Sequence, residues 1–347
     1  MNRVDTNLTD LRPAPALPVD VDGFVSTSYL SQGVTLPLVI GPRAAAPTLE
    51  AFTAWLRRNR ELVERELLAH GALLFRDFPV ASVADFENVT NAASDRLIEY
   101  SERSSPRSQV GNRVYTSTDY PASQSIFPHN EHSYAVVYPL HLLFGCLQPA
   151  ARGGETPLVD IRKVTSRIGG PTRERFRQRG WMWARHFGGG MGLSWQTTFQ
   201  TVDKAAVEAY CRHAKINCEW INGDRLRTRQ VRPVFGTHPR TGDTLWFNHL
   251  TFFHISTLDK TLRDVLTAQL AEEDLPNNTY YGDGTRIEPE VMQELRAAYE
   301  AEMVRFQWKR GDVLLVDNML TAHARGSYSG PRRVLVAMAD PVTRTDI

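Results

Sequence analysis

Between residues 48 and 94, the positions of apolar and polar residues follow helical and strand patterns. Residues 48–71 repeat apolar side chains at helical spacing, and Gly71 follows them as a natural C-terminal stop. The next residues, 72–78, form a mostly apolar run that predicts a buried strand. Ser82 precedes a second helical pattern, at 82–94, and is of a type that caps helix N-termini. This part of the chain is therefore predicted to form a helix, a strand and a second helix.

Beyond residue 94, short β-rich runs alternate with turns and a few helical stretches. Strands are predicted at 113–118, 134–139, 141–147, 156–160, 312–319 and 333–341, and residues 231–248 predict a strand, a turn and a strand. Helices are predicted within 161–180 and at 203–213, 258–272 and 288–303. The glycine-rich residues 187–195 predict a mobile loop, of which residues 188–192 would serve as a lid.

The domain organisation follows from these patterns. The first 46 residues are rich in Pro, Asp and Ala, and they predict an N-terminal arm with one strand at 35–40. Residues 47–347 are predicted to form a single domain with an inserted helical and lid region at about 161–230, because neither an internal repeat nor a clear linker divides them.

Composition and charge narrow the function classes. The 347 residues carry a formal net charge of +1 and are 42% hydrophobic, which is typical of a globular protein and predicts binding to neither nucleic acid nor a membrane. The start of the chain lacks the apolar core of a signal peptide, and no apolar run is long enough to span a bilayer. With three cysteines and no CxxC pair, a reduced, cytoplasmic protein is predicted.

Candidate chemistry is concentrated in 128-PHNEHSYAVVYP-139. On a strand, residues i and i+2 face the same side, so His129 and Glu131 would present an imidazole and a carboxylate together. His323 follows the apolar run at 312–319, where the end of a strand would support a third ligand rigidly. Two His and one carboxylate on one side of a metal ion form the facial triad of non-haem iron(II) oxygenases, which leaves coordination positions open for reactants.

Oxygenases of this kind commonly use 2-oxoglutarate, whose far carboxylate needs a buried cation. The planar guanidinium of Arg matches two carboxylate oxygens, and Arg332 and Arg333 open the strand that follows His323. Adjacent strand residues face opposite sides, so only one of the two can point inward, and the spacing leaves open which one does. Thr156 offers a hydroxyl group for the same carboxylate.

Three blocks in the same order extend this pattern: HNE at 129–131, GGETPL at 153–158 and GDVLLVDNMLTAHARGSYSGPRR at 311–333. Together they resemble the TauD/TfdA family of iron(II)- and 2-oxoglutarate-dependent oxygenases, and most closely its branch of syringomycin-biosynthesis-type hydroxylases. The resemblance covers about Leu73 to Pro341, which is most of the chain. It implies an α+β fold with a double-stranded β-helix (jelly roll) core flanked by helices.

The resemblance also implies roles for individual residues. His129, Glu131 and His323 would be the iron ligands. Thr156 and Arg333 would hold the far carboxylate of 2-oxoglutarate, because the family's anchor is the second Arg of such a pair. Iron(II), 2-oxoglutarate and dioxygen are therefore the expected cofactor and co-substrates. Substrate contacts are predicted at Arg107, Tyr134, Asn248, His249 and Arg325.

Two residues differ from those of related enzymes in ways that bear on the reaction. Related halogenases have Ala or Gly at the carboxylate position, so Glu131 argues against halogenation. Ala337 occupies the place of the Arg that binds the sulfonate in taurine dioxygenase, so taurine is not the expected substrate. The resemblance implies hydroxylation of an unactivated C–H bond of an amino-acid-like substrate, free or bound to a carrier protein, in natural-product (antibiotic) biosynthesis.

Several alternatives stay open at this point. The same cofactors could support desaturation, cyclisation or epoxidation. Two His and one Glu also occur in zinc hydrolases, although that reading gives Arg333 and Thr156 no function. A non-catalytic jelly-roll binding protein is the remaining alternative, and the sequence does not decide whether the chain forms a homo-oligomer.

Overall fold

A computed structural model describes residues 23–99, 107–118, 120–190 and 192–345. Its strands are β1 Val25–Ser31, β2 Val34–Pro42, β3 Ala72–Phe75, β4 Leu97–Ile98, β5 Gln109–Gly111, β6 Val114–Thr116, β7 Ile126–His129, β8 Val137–Gln148, β9 Arg152–Gly153, β10 Leu158–Asp160, β11 Trp181–Phe187, β12 Ile216–Ile221, β13 Arg225–Arg232, β14 Phe235–Thr237, β15 Thr244–Trp246, β16 Asn277–Tyr281, β17 Met303–Val304, β18 Val313–Asp317, β19 Thr321–Arg325, β20 Tyr328–Ser329 and β21 Arg333–Thr343. Its α-helices are α1 Leu49–Arg58, α2 Arg60–His70, α3 Val83–Ala93, α4 Ile161–Arg167, α5 Gly170–Arg179, α6 Trp195–Phe199, α7 Lys204–His213, α8 Leu250–Phe253, α9 Lys260–Gln269 and α10 Pro289–Ala301. Short 3-10 helices occupy Ile255–Thr257 and Glu272–Asp274.

Two sheets form the core. The larger sheet has the strand order β1-β2-β3-β18-β8-β21-β6-β5, and β4 pairs with β21 beside this path. The smaller sheet has the order β17-β10-β19-β7. Apart from the parallel pair β2 and β3, the neighbouring strands in both sheets are antiparallel. Apolar side chains of β8, β10, β18 and β21 pack together in one buried cluster between the sheets. The predicted jelly-roll core flanked by helices is confirmed.

A third sheet combines strands from the region predicted as an insertion with β16, which follows that region in the chain. It has the order β12-β13-β11-β16, and helices α4 to α7 belong to the same stretch of chain. Trp183 of β11 stacks on Phe253, with ring centroids 4.0 Å apart, so this sheet packs directly on helix α8. The division into an arm, one domain and an insertion stays a prediction.

Local capping signals account for the helix ends near the start of the domain. Gly71 adopts a left-handed conformation (φ 77°) at the end of α2, and Ser82 and Asp85 form a reciprocal capping box at the start of α3. The predicted single helix at 48–71 is instead two helices, which meet at Asn59. The Asn59 side chain donates a hydrogen bond to the Trp55 carbonyl and thereby competes with the helical backbone pattern.

Two strand predictions need correction. Residues 134–136 form turns and bends rather than the first half of the strand predicted at 134–139. Strand β8 begins only at Val137 and continues through the run that was predicted separately at 141–147. The strand predicted at 35–40 lies within β2, whereas β1, which pairs with it at the edge of the larger sheet, was not predicted. Residues 1–22 of the predicted arm lie outside the described residues.

No helix in the described part of the chain is long and apolar enough to cross a membrane. The cytoplasmic location stays a prediction. So does the lid function of the glycine-rich loop, which connects β11 to α6 and includes residue 191, outside the described residues.

Gly145→Ala is expected to destabilise the protein. Gly145 lies in the middle of β8, where an added Cβ would come within 2.5–2.7 Å of ring carbons of Phe86 in α3. Both residues are buried, so the ring has little room to move, and overpacking of this kind costs about 1–3 kcal/mol of unfolding free energy. Denaturant unfolding measures the change. Gly170→Ala is the matched control, because nothing lies within 4 Å of its added Cβ. Equal stability of the two variants would contradict the packing described for α3 on β8.

Candidate metal and co-substrate site

Strand pairing brings two distant histidines together. His129 is the last residue of β7, and His323 lies in the middle of β19, its antiparallel neighbour. The two residues are paired across the ladder, and their ring centroids are 4.4 Å apart. The predicted association of His323 with the 129–131 segment therefore rests on a hydrogen-bonded pair of strands rather than on flexible loops.

Glu131 completes the group from outside the strand. Its Oε2 lies 3.9 Å from Nε2 of His129 and 3.9 Å from Nε2 of His323, and one ligand atom from each residue lies within 4.8 Å of the others. The reason given for this from sequence is wrong, because β7 ends at His129 and Glu131 begins a turn. The geometry of that turn, not strand alternation, directs the carboxylate to the histidines.

The two imidazoles are in the state that binds metals. His129 Nδ1–H donates to the Phe127 carbonyl at 3.0 Å, which leaves the lone pair on Nε2, the nitrogen that faces Glu131. Burial lowers the pKa of His129 and lowers the pKa of His323 well below its ordinary value. Both rings are therefore neutral near pH 7, with lone pairs available to a metal ion.

Glu131 is ionised although it is buried. Burial by itself would raise the pKa of this carboxyl group, but the guanidinium of Arg107 and the surrounding histidines together outweigh that effect and hold the pKa well below its usual range. Nη2 of Arg107 donates to Glu131 Oε2 at 2.6 Å, and both side chains are almost completely buried. Two neutral imidazole nitrogens and one carboxylate oxygen are a donor set that fits an iron(II) ion.

A cavity between the two sheets adjoins these residues. His129 and His323 line it from the smaller sheet, and Phe144, Val334 and Val336 line it from the larger sheet. Thr156 also faces it. The Thr156 side chain is buried, and its Oγ1 accepts a hydrogen bond from the indole nitrogen of Trp308 at 3.1 Å. The cavity thus joins the histidine pair to the hydroxyl that was predicted to bind 2-oxoglutarate.

The two consecutive arginines point in opposite directions, and the structure reverses the expected order. Arg332 lines the cavity, where its Nε donates to the Gly154 carbonyl at 2.9 Å and its Nη1 to Ser117 Oγ at 3.1 Å. Burial lowers the pKa of Arg332 to about 10, so it keeps its charge at neutral pH. Arg333, the residue selected from the resemblance, is exposed to solvent at the start of β21.

Two of the five predicted substrate residues line the cavity. Arg107 does so beside Glu131, to which it is hydrogen-bonded. Arg325 donates through both terminal nitrogens to the carbonyl oxygens of Thr118, Tyr120, Pro121 and Gln124. These four bonds tie the segment before β7 to β19, so the guanidinium of Arg325 is already engaged by the protein.

The other three predicted substrate residues are buried and are not among the residues that line the cavity. Tyr134 is fully buried, and its ring packs edge-on against His249 at 4.9 Å. His249 Nδ1 is 2.6 Å from Ser133 Oγ, and its ring lies 5.5 Å from that of His129. Asn248 donates to the Val234 carbonyl and accepts from the Leu250 amide, which orders the start of α8. Their direct contact with a substrate stays a prediction, and of the three only His249 is described in contact with His129.

Comparison with known proteins agrees with this geometry. Residues 35–338 match the family described as "Taurine catabolism dioxygenase TauD, TfdA family". The dapdiamide synthesis protein DdaC of Enterobacter agglomerans is 41% identical over 310 residues, which are 88% of this chain and 94% of that protein. A clavaminate synthase-like protein of Arabidopsis thaliana is 29% identical over 317 residues, which are 87% of this chain and 93% of that protein.

Solved structures share the fold. PvcB from Pseudomonas aeruginosa superposes with a TM-score of 0.55 at 12% sequence identity, over 93% of each chain. A second PvcB structure, of an "Fe, alpha-ketoglutarate dependent oxygenase from an isonitrile synthetic pathway", gives a TM-score of 0.53 at 14% identity, again over 93% of each chain. At such low identity the likeness concerns the fold alone.

Proposed function

Because the chain belongs to the TauD/TfdA family and is an iron(II)- and 2-oxoglutarate-dependent oxygenase, we propose that it hydroxylates an unactivated C–H bond of an amino-acid-like substrate. The observation that carries the oxygenase chemistry is the convergence of His129, Glu131 and His323 beside one cavity. The two histidines and the carboxylate would hold iron(II) from one side.

Several residues of the cavity have a task in this proposal. Bound iron, with 2-oxoglutarate and dioxygen, supplies the oxidation of a C–H bond coupled to the conversion of 2-oxoglutarate to succinate and carbon dioxide. Arg332, in place of Arg333, would pair with the far carboxylate of 2-oxoglutarate, and the Thr156 hydroxyl would donate a hydrogen bond to the same group. The apolar wall formed by Phe144, Val334 and Val336 would exclude water from the reacting atoms.

The substrate class is inferred from the relatives. Similarity over nearly the full length to a protein of dapdiamide synthesis supports a role in natural-product biosynthesis and an amino-acid-like substrate. The substrate would be free or presented by a carrier protein, and a homo-oligomeric enzyme is compatible with either. Desaturation, cyclisation or epoxidation by the same cofactors is the second candidate outcome. A non-catalytic binding protein is disfavoured because all three ligand residues are present and clustered.

The proposal is tested by turnover of 2-oxoglutarate. Purified protein, incubated with iron(II), ascorbate and 2-oxoglutarate, is expected to form succinate slowly, and faster with a substrate. A mass-spectrometric screen of free amino acids and carrier-bound aminoacyl groups then identifies the reaction. A gain of one oxygen on a saturated carbon supports hydroxylation, and loss of two hydrogens supports desaturation or cyclisation. Absence of succinate under every condition would contradict an oxygenase function.

Thr156→Val is expected to weaken 2-oxoglutarate binding while leaving metal affinity unchanged. The substitution keeps the side-chain shape but removes the hydroxyl, and a neutral hydrogen bond contributes about 0.5–1.5 kcal/mol, which is roughly 2- to 12-fold in affinity. Calorimetric titration with 2-oxoglutarate in the presence of Mn(II) measures the effect. Unchanged affinity would show that Thr156 serves only as the hydrogen-bond acceptor of Trp308.

A further inference from the structure

Glu131 is the one member of the triad that no strand holds. His129 and His323 are fixed by their places in β7 and β19, whereas Glu131 lies in a turn after β7 has ended. A buried carboxylate that must meet two imidazoles needs its backbone held to within about half an ångström. Backbone hydrogen bonds close the turn within residues 130–135, and side chains anchor it to the rest of the fold.

Asn318 supplies those contacts. Its Oδ1 accepts from the Glu131 backbone amide at 2.7 Å, and its Nδ2 donates to the Glu131 carbonyl at 2.8 Å. The same Nδ2 donates to the Pro139 carbonyl at 2.8 Å, at the start of β8. In return, Asn130 Nδ2 donates to the Asn318 carbonyl at 2.7 Å. Both asparagines are completely buried, so water does not compete for these bonds.

The turn that carries Asn318 is itself rigid, and it leads directly into the third ligand. Asp317 Oδ1 accepts from the amides of Met319 and Leu320, each at 2.9 Å, and Asp317 Oδ2 pairs with His238 Nε2 at 2.9 Å. Strand β19 begins immediately afterwards and carries His323. Residues 317–320 therefore hold the backbone of Glu131 through Asn318, and they lead directly into the strand that carries His323.

We propose that Asn318 is a positioning residue of the metal centre, which sets the place of the Glu131 carboxylate relative to the two histidines. This inference depends on the proposed function in one respect, which is that the centre binds a divalent metal ion. Asparagine suits the position because its amide offers a donor and an acceptor at once. Aspartate would set an oxygen against the carbonyls of Glu131 and Pro139, and alanine would leave three buried backbone groups without their partner.

The test separates positioning from general stability. Asn318→Asp and Asn318→Ala are compared with Asn278→Ala, a control in which a buried Asn of β16 loses its hydrogen bond to the Ile255 amide. Mn(II) affinity is measured by calorimetry without 2-oxoglutarate, under conditions where denaturant unfolding shows each variant to be folded.

The Asn318 variants are expected to bind Mn(II) about 10- to 100-fold more weakly, as found when outer hydrogen-bond partners of metal ligands are removed. The control is expected to lose stability but to change Mn(II) affinity less than about twofold.

Each remaining outcome is informative. Unchanged Mn(II) affinity in folded Asn318 variants would overturn the proposal, as would an equal loss in the Asn278 control. Should the Asn318 variants fail to fold, Asn130→Ala removes one bond to the same turn, and an unchanged Mn(II) affinity in that variant would also overturn it. Wild-type protein that binds Mn(II) but never forms succinate from 2-oxoglutarate with iron(II) would contradict the proposed function while leaving the positioning role intact.

Discussion

His323→Ala is expected to abolish metal binding and turnover while the protein stays folded. The substitution removes one of the two imidazoles that we propose as ligands, so metal affinity should fall by more than the roughly 10- to 100-fold that loss of an outer hydrogen-bond partner costs. The fold should tolerate the change because His323 is neutral and its Nδ1 makes no hydrogen bond with any described residue. Calorimetry with Mn(II) and an assay for succinate measure the two losses, and denaturant unfolding measures stability.

His70→Ala is the matched control for this experiment. His70 is also a buried histidine, but it lies at the end of α2, where its Nδ1 bonds the Thr35 carbonyl. Its replacement should cost about 1–3 kcal/mol of stability and leave metal binding unchanged. A His323→Ala variant that binds Mn(II) as tightly as the wild type, or that no longer unfolds cooperatively, would contradict the assignment of His323 as a ligand.

Glu131→Ala is a less direct test of the same centre. It removes the carboxylate from the guanidinium of Arg107, and breaking one partner of a buried ion pair typically costs about 3–5 kcal/mol. Loss of turnover in that variant would therefore combine a missing ligand with a weakened fold. This difference makes His323 the better choice for the ligand test.

Arg332→Met is expected to weaken 2-oxoglutarate binding strongly, whereas Arg333→Met should have little effect. Arg332 lines the cavity and, among the described residues, hydrogen-bonds only to the neutral oxygens of Gly154 and Ser117. A charged hydrogen bond to a carboxylate contributes roughly 1.5–3 kcal/mol, so the affinity should fall about 10- to 150-fold. Methionine retains the apolar stem of the side chain. Titration of 2-oxoglutarate into the Mn(II)-loaded protein measures the change.

Arg333 provides the internal control, because it is adjacent in sequence, equal in charge and exposed to solvent. Its substitution should alter the affinity less than about twofold, as is usual for a surface position. If the Arg333 variant instead shows the large loss and the Arg332 variant does not, the assignment made from the resemblance is correct and the one made from the geometry is wrong.

Features that depend on neighbouring residues were predictable from the sequence. The stop at Gly71 and the cap at Ser82 are local backbone effects, and the structure has both. The kinds of metal-binding group were also predictable from the sequence, because the coordination chemistry of imidazole and carboxylate does not depend on the fold. The choice of His323 among ten histidines rested on its place after a strong apolar run, and strand pairing with His129 confirms their proximity.

Features that depend on pairing between distant segments were decided by the tertiary structure. Strand alternation states that Arg332 and Arg333 face opposite sides, but it does not state which side packs against the smaller sheet. In the folded chain that side carries Val334 and Val336, and Arg332 lines the cavity together with them. Glu131 was placed correctly for the wrong reason, because its position comes from a turn held by Asn318, 187 residues away in the chain. The sequence by itself determined which side chains can bind a metal and where several elements end, since these follow from local chemistry. Only the folded chain decided which arginine reaches the cavity and what holds the glutamate, since these depend on how the two sheets pack and on hydrogen bonds between segments far apart in sequence.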